Sequence, residues 1–280
     1  MSPCIICNGK VIHDLRREHH SICIECGSVS LNKTHRVDPA SIYTEDYYNG
    51  EMFRRTKGEH GYSSSYSEVG SYTATRHLQY ISMFTRKLND DANILDIGCG
   101  YGLFLRDMKK FGFDNIQGVE LDPKVAAKAK SISGCDILTS IPNKRYHGIS
   151  LIDVIEHVED PVELLSVARD HQSTGDTLFL STPNIDSLNA RLYGQDWVLH
   201  SPPQHIVYIG AKSITKLLKR SGYKVAEVMT VGTVLHNQRY NKPTRFSEAI
   251  KYLLDRPLCN YVLNEQLRLG SIIAVRAEAL

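Results

Sequence analysis

The chain has 280 residues, 42% of them hydrophobic and 23% charged, with a formal net charge of +2 at neutral pH. This balance suits a globular protein that buries a core and gives no support to a polyanionic partner, so nucleic acid is not the expected substrate. The amino terminus has no apolar stretch of signal-peptide type and no segment nears the roughly 18 apolar residues of a membrane span, so a cytoplasmic protein is expected.

Four of the seven cysteines, Cys4, Cys7, Cys23 and Cys26, form two Cys-x2-Cys pairs with fifteen residues between them. Each pair can turn two thiolates toward one ion, and two pairs complete a tetrahedron, so residues 1–36 read as a zinc ribbon. All four positions are filled, which makes the zinc structural rather than catalytic. His13, His19 and His20 lie between the pairs and read as part of a solvated loop.

Residues 37–92 read as a tyrosine-rich connector and helical lid, with Leu78, Ile81, Phe84 and Leu88 at helical spacing near its end. From residue 93 to residue 280 strands and helices alternate. "NILDIG" is a strand, "YGLFLRDMKKFG" a helix, "IQGVELD" a strand, and "PKVAAKAKSI" a helix opened by proline. "CDILTSI" and "YHGISLIDVIEHV" hold strands, and "DPVELLSVARDH" is a helix capped by Asp160 with Pro161 at its first position. The strand "DTLFLSTP" precedes an irregular insert at about 184–210, and "AKSITKLLKRSG", "KVAEVMTV" and "RLGSIIAVRAEA" add a helix and two strands. The alternation predicts an α/β fold: a doubly wound, mostly parallel seven-stranded Rossmann-like sheet.

The turn "LDIGCGYG" sits between a strand and a helix, where open α/β sheets bind ligands. Its glycines, Gly98, Gly100 and Gly102, give G-x-G-x-G, and Leu103 stands where a dinucleotide pattern has its third glycine. Asp96 would repel a pyrophosphate and favour an ammonium group, while Glu120 ends the next strand where it can accept from ribose hydroxyls. A ribose, a cationic amino-acid tail and no phosphate describe S-adenosylmethionine.

"LDIGCGYG", "VELDP", "LIDVIEHVEDP" and "STPN", in this order, resemble class I S-adenosylmethionine-dependent methyltransferases over about residues 76–230. "YTEDYY", "SLNARLYGQDWVLHSPPQHIVYIG" and the amino-terminal ribbon resemble a bacterial subgroup that methylates sugars and other small metabolites. The resemblance implies that Gly98, Cys99, Gly100 and Gly102 run along the methionyl part. Asp96 would support the turn and the ammonium, Glu120 would bind the ribose, and Leu121 would pack on the adenine. It implies that Asp153 and Val154 lie beside the sulfonium and that Arg76 pairs with the methionyl carboxylate. Asp136 is the candidate partner of the adenine amino group, on an unusually short third-strand segment. Cys135 and Cys99 read as packing residues, and Cys259 has no assigned partner.

Methyl transfer to a hydroxyl or an acidic carbon needs a base, and two histidines are candidates. His157 follows the fourth strand in "VIEHV" and reads equally as base or as local support. His205 lies in the insert behind Pro202 and Pro203, and is the favoured base. Trp197 and Tyr208 could wall an acceptor pocket or be core, and a magnesium-assisted variant would use Asp153, Glu156 or His157. The expected acceptor is a small, sugar-like molecule, a nucleotide-linked sugar or surface glycan precursor. The competing reading is an RNA methyltransferase gripping nucleic acid with its ribbon and with Arg54, Arg55, Lys57, Tyr62 and Tyr66.

Overall fold

A computed structural model describes residues 3–37, 39–42, 71–232 and 267–280. Most of the tyrosine-rich connector, the basic and aromatic residues named within it, and Cys259 lie outside the described residues. Seven strands form a sheet in the order β10-β11-β8-β7-β4-β5-β6. Their bounds are β4 Ile94–Ile97, β5 Ile116–Val119, β6 Asp136–Leu138, β7 Gly148–Ile152, β8 Thr177–Pro183, β10 Tyr223–Val231 and β11 Ile272–Ala279. The β4–β5, β4–β7 and β5–β6 pairs are parallel, and the sheet as a whole is mixed. The centre of the sheet is buried: all four residues of β4 and all seven of β8 are covered. Burial on both faces explains why neither strand shows strict apolar–polar alternation.

The chain divides into two compact units. One comprises 37–154, 167–180 and 278–280. It holds α1 Ser71–Phe84, α2 Leu103–Lys110 and α3 Pro123–Ser133 beside strands β4 to β7. Asp122 caps α3 by accepting from the amides of Lys124 and Val125, Pro123 opens it, and Gly134 closes it at φ +66°. Helix α1 buries His77, Tyr80, Ile81, Met83 and Phe84, while Leu78 is half exposed. Ile81 and Phe84 of the expected stripe are thus buried, Leu78 is not, and Leu88 lies beyond the helix end. The buried face is completed by His77, whose Nδ1 bonds Asp107 Oδ2 at 2.8 Å, and by Tyr80, which packs with Phe84 on Phe179.

The other unit comprises Met1–Arg36, Ile155–Ser166 and Ser181–Ala277. Its second sheet runs β1-β2-β3-β9, with β1 Val11–His13, β2 His20–Cys23, β3 Val29–Leu31 and β9 Val207–Tyr208. Three strands come from the ribbon. The fourth comes from the insert, which sequence alone had left irregular: Val29 pairs with Tyr208 and Ser30 with Val207, antiparallel. The insert also holds a short helix, α5 Leu188–Tyr193, capped by the Ser187 hydroxyl. Asp160 caps α4, Pro161–Asp170, as expected, accepting from the amides of Val162 and Glu163. The last helix, α6, is Ala211–Arg220.

The solvated-loop reading of the inter-cysteine segment needs correction. His19 is exposed, but His20 is 1% exposed, and its ring lies 4.8 Å from that of His200. Asp14 and Arg17 form a buried ion pair at 3.0 Å, and Arg17 also donates to the carbonyl of Ala190. Pairing with the insert covers this side of the ribbon, which cysteine spacing cannot reveal. Burial lowers the pKa of His20, so its ring is neutral.

Candidate functional site

The glycine turn follows β4 directly. Gly98, Gly100 and Gly102 all have positive φ, at +72°, +52° and +72°. A Cβ at Gly98 would stand 2.6 Å from Val154 Cγ2, so this position excludes side chains by conformation and by space. Glu120, 4% exposed at the end of β5, accepts from the amide of Gly100 at 3.0 Å and from that of Asp122 at 3.2 Å. Its carboxylate therefore fastens the glycine turn from the neighbouring strand. Leu121, next in the chain, is 79% exposed.

Asp96 lies inside β4 and is 2% exposed. The Ser150 hydroxyl donates to it at 2.7 Å. Burial pushes its pKa up to about 7, and the nearby charge of Glu120 adds to the shift. The bond ties Asp96 to β7, the neighbouring strand, and Ser150 is a partner that sequence reasoning missed. The Cys99 thiol is pushed far above its ordinary value, first by burial and then by Asp96, which keeps it protonated.

Asp153 and Val154 follow β7. Asp153 adopts φ +54°, and Arg76 of α1 pairs with it at 3.2 Å, each side chain about 15% exposed. Arg76 is therefore tied to another cofactor candidate. Asp136 is not brought to this group. It begins β6, level with Gln117 across the parallel pair, whereas Glu120 lies beyond the far end of β5. Ligands in such sheets bind at the strands' carboxyl ends, and Asp136 stands at the other end, exposed and paired with Lys130 at 3.2 Å. The expectation that it holds the adenine amino group is corrected on that ground.

In the ribbon unit the four cysteine sulfurs lie within 4.8 Å of one another. Sγ–Sγ distances of 3.7 Å for Cys4–Cys26 and 3.6 Å for Cys7–Cys23 are far longer than a disulfide. Four sulfurs about 2.3 Å from a zinc ion would stand about 3.8 Å apart, so the spacing fits a tetrahedral cation.

Glu156 and His157 occupy a 3-10 turn, Ile155–His157, immediately after the segment that holds Asp153. The structure brings His205 to them: the His157 and His205 rings are 4.7 Å apart and nearly perpendicular. His157 Nδ1 donates to the carbonyl of Gln204 at 2.9 Å, and His205 Nδ1 donates to that of Leu199 at 2.8 Å. A carbonyl only accepts, so in each neutral ring Nε2 carries the lone pair. Glu156, 1% exposed, accepts from the Thr182 hydroxyl at 3.0 Å. Trp197 and Tyr208 do not wall a pocket here: both are fully buried, in a cluster with Val29, Ile185 and Ala190.

The family model described as "Methyltransferase domain" matches residues 69–228. The mitochondrial ubiquinone biosynthesis O-methyltransferase of Candida albicans is 27% identical over 154 residues, covering 49% of this chain and 46% of that protein. The human EEF1A lysine methyltransferase 2 is 30% identical over 108 residues, covering 38% of this chain and 44% of that protein. The chain thus spans somewhat under half the length of these curated relatives. The solved magnesium protoporphyrin IX methyltransferase of Synechocystis PCC 6803 superposes with a TM-score of 0.56 at 15% identity, covering 87% of this chain and all of that one. With the strand order, the glycine turn and the Glu120 anchor, these matches show that the chain belongs to the methyltransferase-domain family and has the fold of class I S-adenosylmethionine-dependent methyltransferases.

Proposed function

We propose that this chain transfers a methyl group from S-adenosylmethionine to a hydroxyl of a small acceptor, a nucleotide-linked sugar or surface glycan precursor. The cofactor reading is supported by the open turn Gly98–Gly102 and the carboxylate of Glu120 at its ribose end. Leu121 is exposed for an adenine face, and Asp153 and Val154 border the turn. When bound, S-adenosylmethionine supplies an electrophilic methyl on a sulfonium. The protein's own part is to hold the reactants and to manage the acceptor's proton.

The single observation that carries the hydroxyl reading is the imidazole pair. His157 and His205, locked by backbone carbonyls, present Nε2 lone pairs beside a buried carboxylate. This is the equipment needed to activate an O–H group. The sugar class rests on the likeness of the ribbon and insert to sugar methyltransferases. The four-cysteine site holds structural zinc, supported by its sulfur spacing and lack of an open position.

Two measurements test this. Calorimetry should show stoichiometric binding of S-adenosylhomocysteine; no binding would remove the methyltransferase reading. A screen of nucleotide sugars and glycan fragments, read by product mass, should then yield a singly methylated sugar. Methylation confined to phenols, carboxylates or lysine side chains would overturn the sugar assignment.

A further inference from the structure

We propose that Glu156, His157 and His205 form a second cation site, distinct from the four-cysteine cluster, that takes a divalent first-row metal ion. One ligand atom from each of the three residues can be chosen so that all lie within 4.8 Å of one another. Two imidazole nitrogens and one carboxylate oxygen match the donor set of open catalytic metal sites, where three protein ligands leave room for substrate oxygens.

The surroundings of the three groups favour this assignment. A ligating histidine normally donates its other ring N–H to a carbonyl or carboxylate, which fixes the ring and makes the free nitrogen the donor atom. Both histidines satisfy that condition, through the carbonyls of Gln204 and Leu199. Glu156 satisfies the matching one: Thr182 donates to its Oε2, while its Oε1 faces His157 Nε2 at 3.9 Å. That distance is too long for a direct hydrogen bond and about half an ångström beyond the roughly 3.4 Å that separates two such ligands on a tetrahedral ion, so a small closing movement would bring both onto one cation. The backbone is held as well, since the amide of Ile206 donates to the carbonyl of Glu156 at 2.9 Å.

The donor set selects the ion class. Imidazoles favour zinc, iron, nickel and copper over calcium, the carboxylate admits manganese as well, and the absence of sulfur separates this site from the ribbon. A cation here would bind one or two acceptor oxygens and lower the pKa of the hydroxyl, so that with the ion bound His157 and His205 serve the same proton removal as ligands and no longer as bases. The site's chemical role rests on the methyltransferase reading, but its occupancy does not.

The test uses the 280-residue chain with its ribbon zinc retained. It is titrated with Mn2+, which a four-thiolate site disfavours, and free Mn2+ is followed by electron paramagnetic resonance. One equivalent should bind. Glu156→Gln, His157→Gln and His205→Gln should each weaken binding at least tenfold, while Glu156→Asp, which keeps the carboxylate, should retain most of it. S-adenosylhomocysteine affinity in the same samples reports separately on the cofactor side. Mn2+ binding without S-adenosylhomocysteine binding would support the metal site and sink the methyltransferase reading. A wild-type chain that binds no Mn2+, or variants that all bind it as wild type does, would overturn the proposal.

Discussion

Asp96 and Gly98 stand two residues apart and are constrained by different physics. Gly98 is required by sterics, since φ is +72° and Val154 occupies the space a Cβ would need. Gly98→Ala should cost roughly 1–3 kcal/mol of stability and abolish S-adenosylhomocysteine binding, read by thermal melting and calorimetry. Asp96 is raised from 3.8 to about 7 by burial. A carboxyl with a raised folded pKa binds more protons folded than unfolded, so stability falls as pH climbs from about 4 to about 7. Asp96→Asn should remove that slope, so the variant should melt above wild type at pH 8, and its advantage should shrink toward pH 4. A melting curve whose pH slope is unchanged in the variant would reject this account. At the same scale, His205→Ala should lower turnover by about a hundredfold or more while leaving S-adenosylhomocysteine affinity within about twofold. Full turnover in that variant would remove His205 from the acceptor chemistry.

Among the elements, β9 carries the most consequence for its length. Its two residues complete the ribbon sheet and directly follow His205 and Ile206, so the ribbon and the histidine loop share hydrogen bonds. The amide of Leu31 donates to the carbonyl of Ile206 at 2.8 Å, one residue from His205. A metal ion held by the four cysteines would therefore bear on the position of a candidate catalytic side chain without touching it. Cys23→Ser should release the metal, expose the β3–β9 amides to hydrogen exchange, and lower turnover. S-adenosylhomocysteine affinity should change little, because the glycine turn belongs to the other unit. Unchanged exchange at residues 205–209 after zinc loss would sever this link. Helix α1 shows a pattern that holds in part. Ile81 and Phe84 of the expected stripe are buried, whereas Leu78 is half exposed and His77, bonded to Asp107, and Tyr80 complete the buried face.

For the whole molecule, charge and composition argue against a nucleic-acid acceptor. With a net charge of +2, a small acceptor should show turnover that changes little between roughly 50 and 200 mM salt, whereas RNA binding would weaken steeply over the same range. Among the described residues, no helix is long and apolar enough to cross a membrane. The build of the glycine turn was legible in the chain because it is local. Three glycines within five residues, an acid two residues before them, and Glu120 one helix-crossover later are close in sequence and obey steric rules that need no distant partner. The cysteine cluster was legible for the same reason, as ligand spacing is a local property. What folding decided was long-range. Strand register put Asp136 at the wrong end of β6, and sheet pairing recruited the insert to the ribbon and buried His20 and Trp197. It also carried His205 across 48 residues of sequence to His157 and Glu156. Spacing along a chain encodes turns and knuckles, but which distant groups meet depends on register and on which faces are covered, and only the packed molecule determines those.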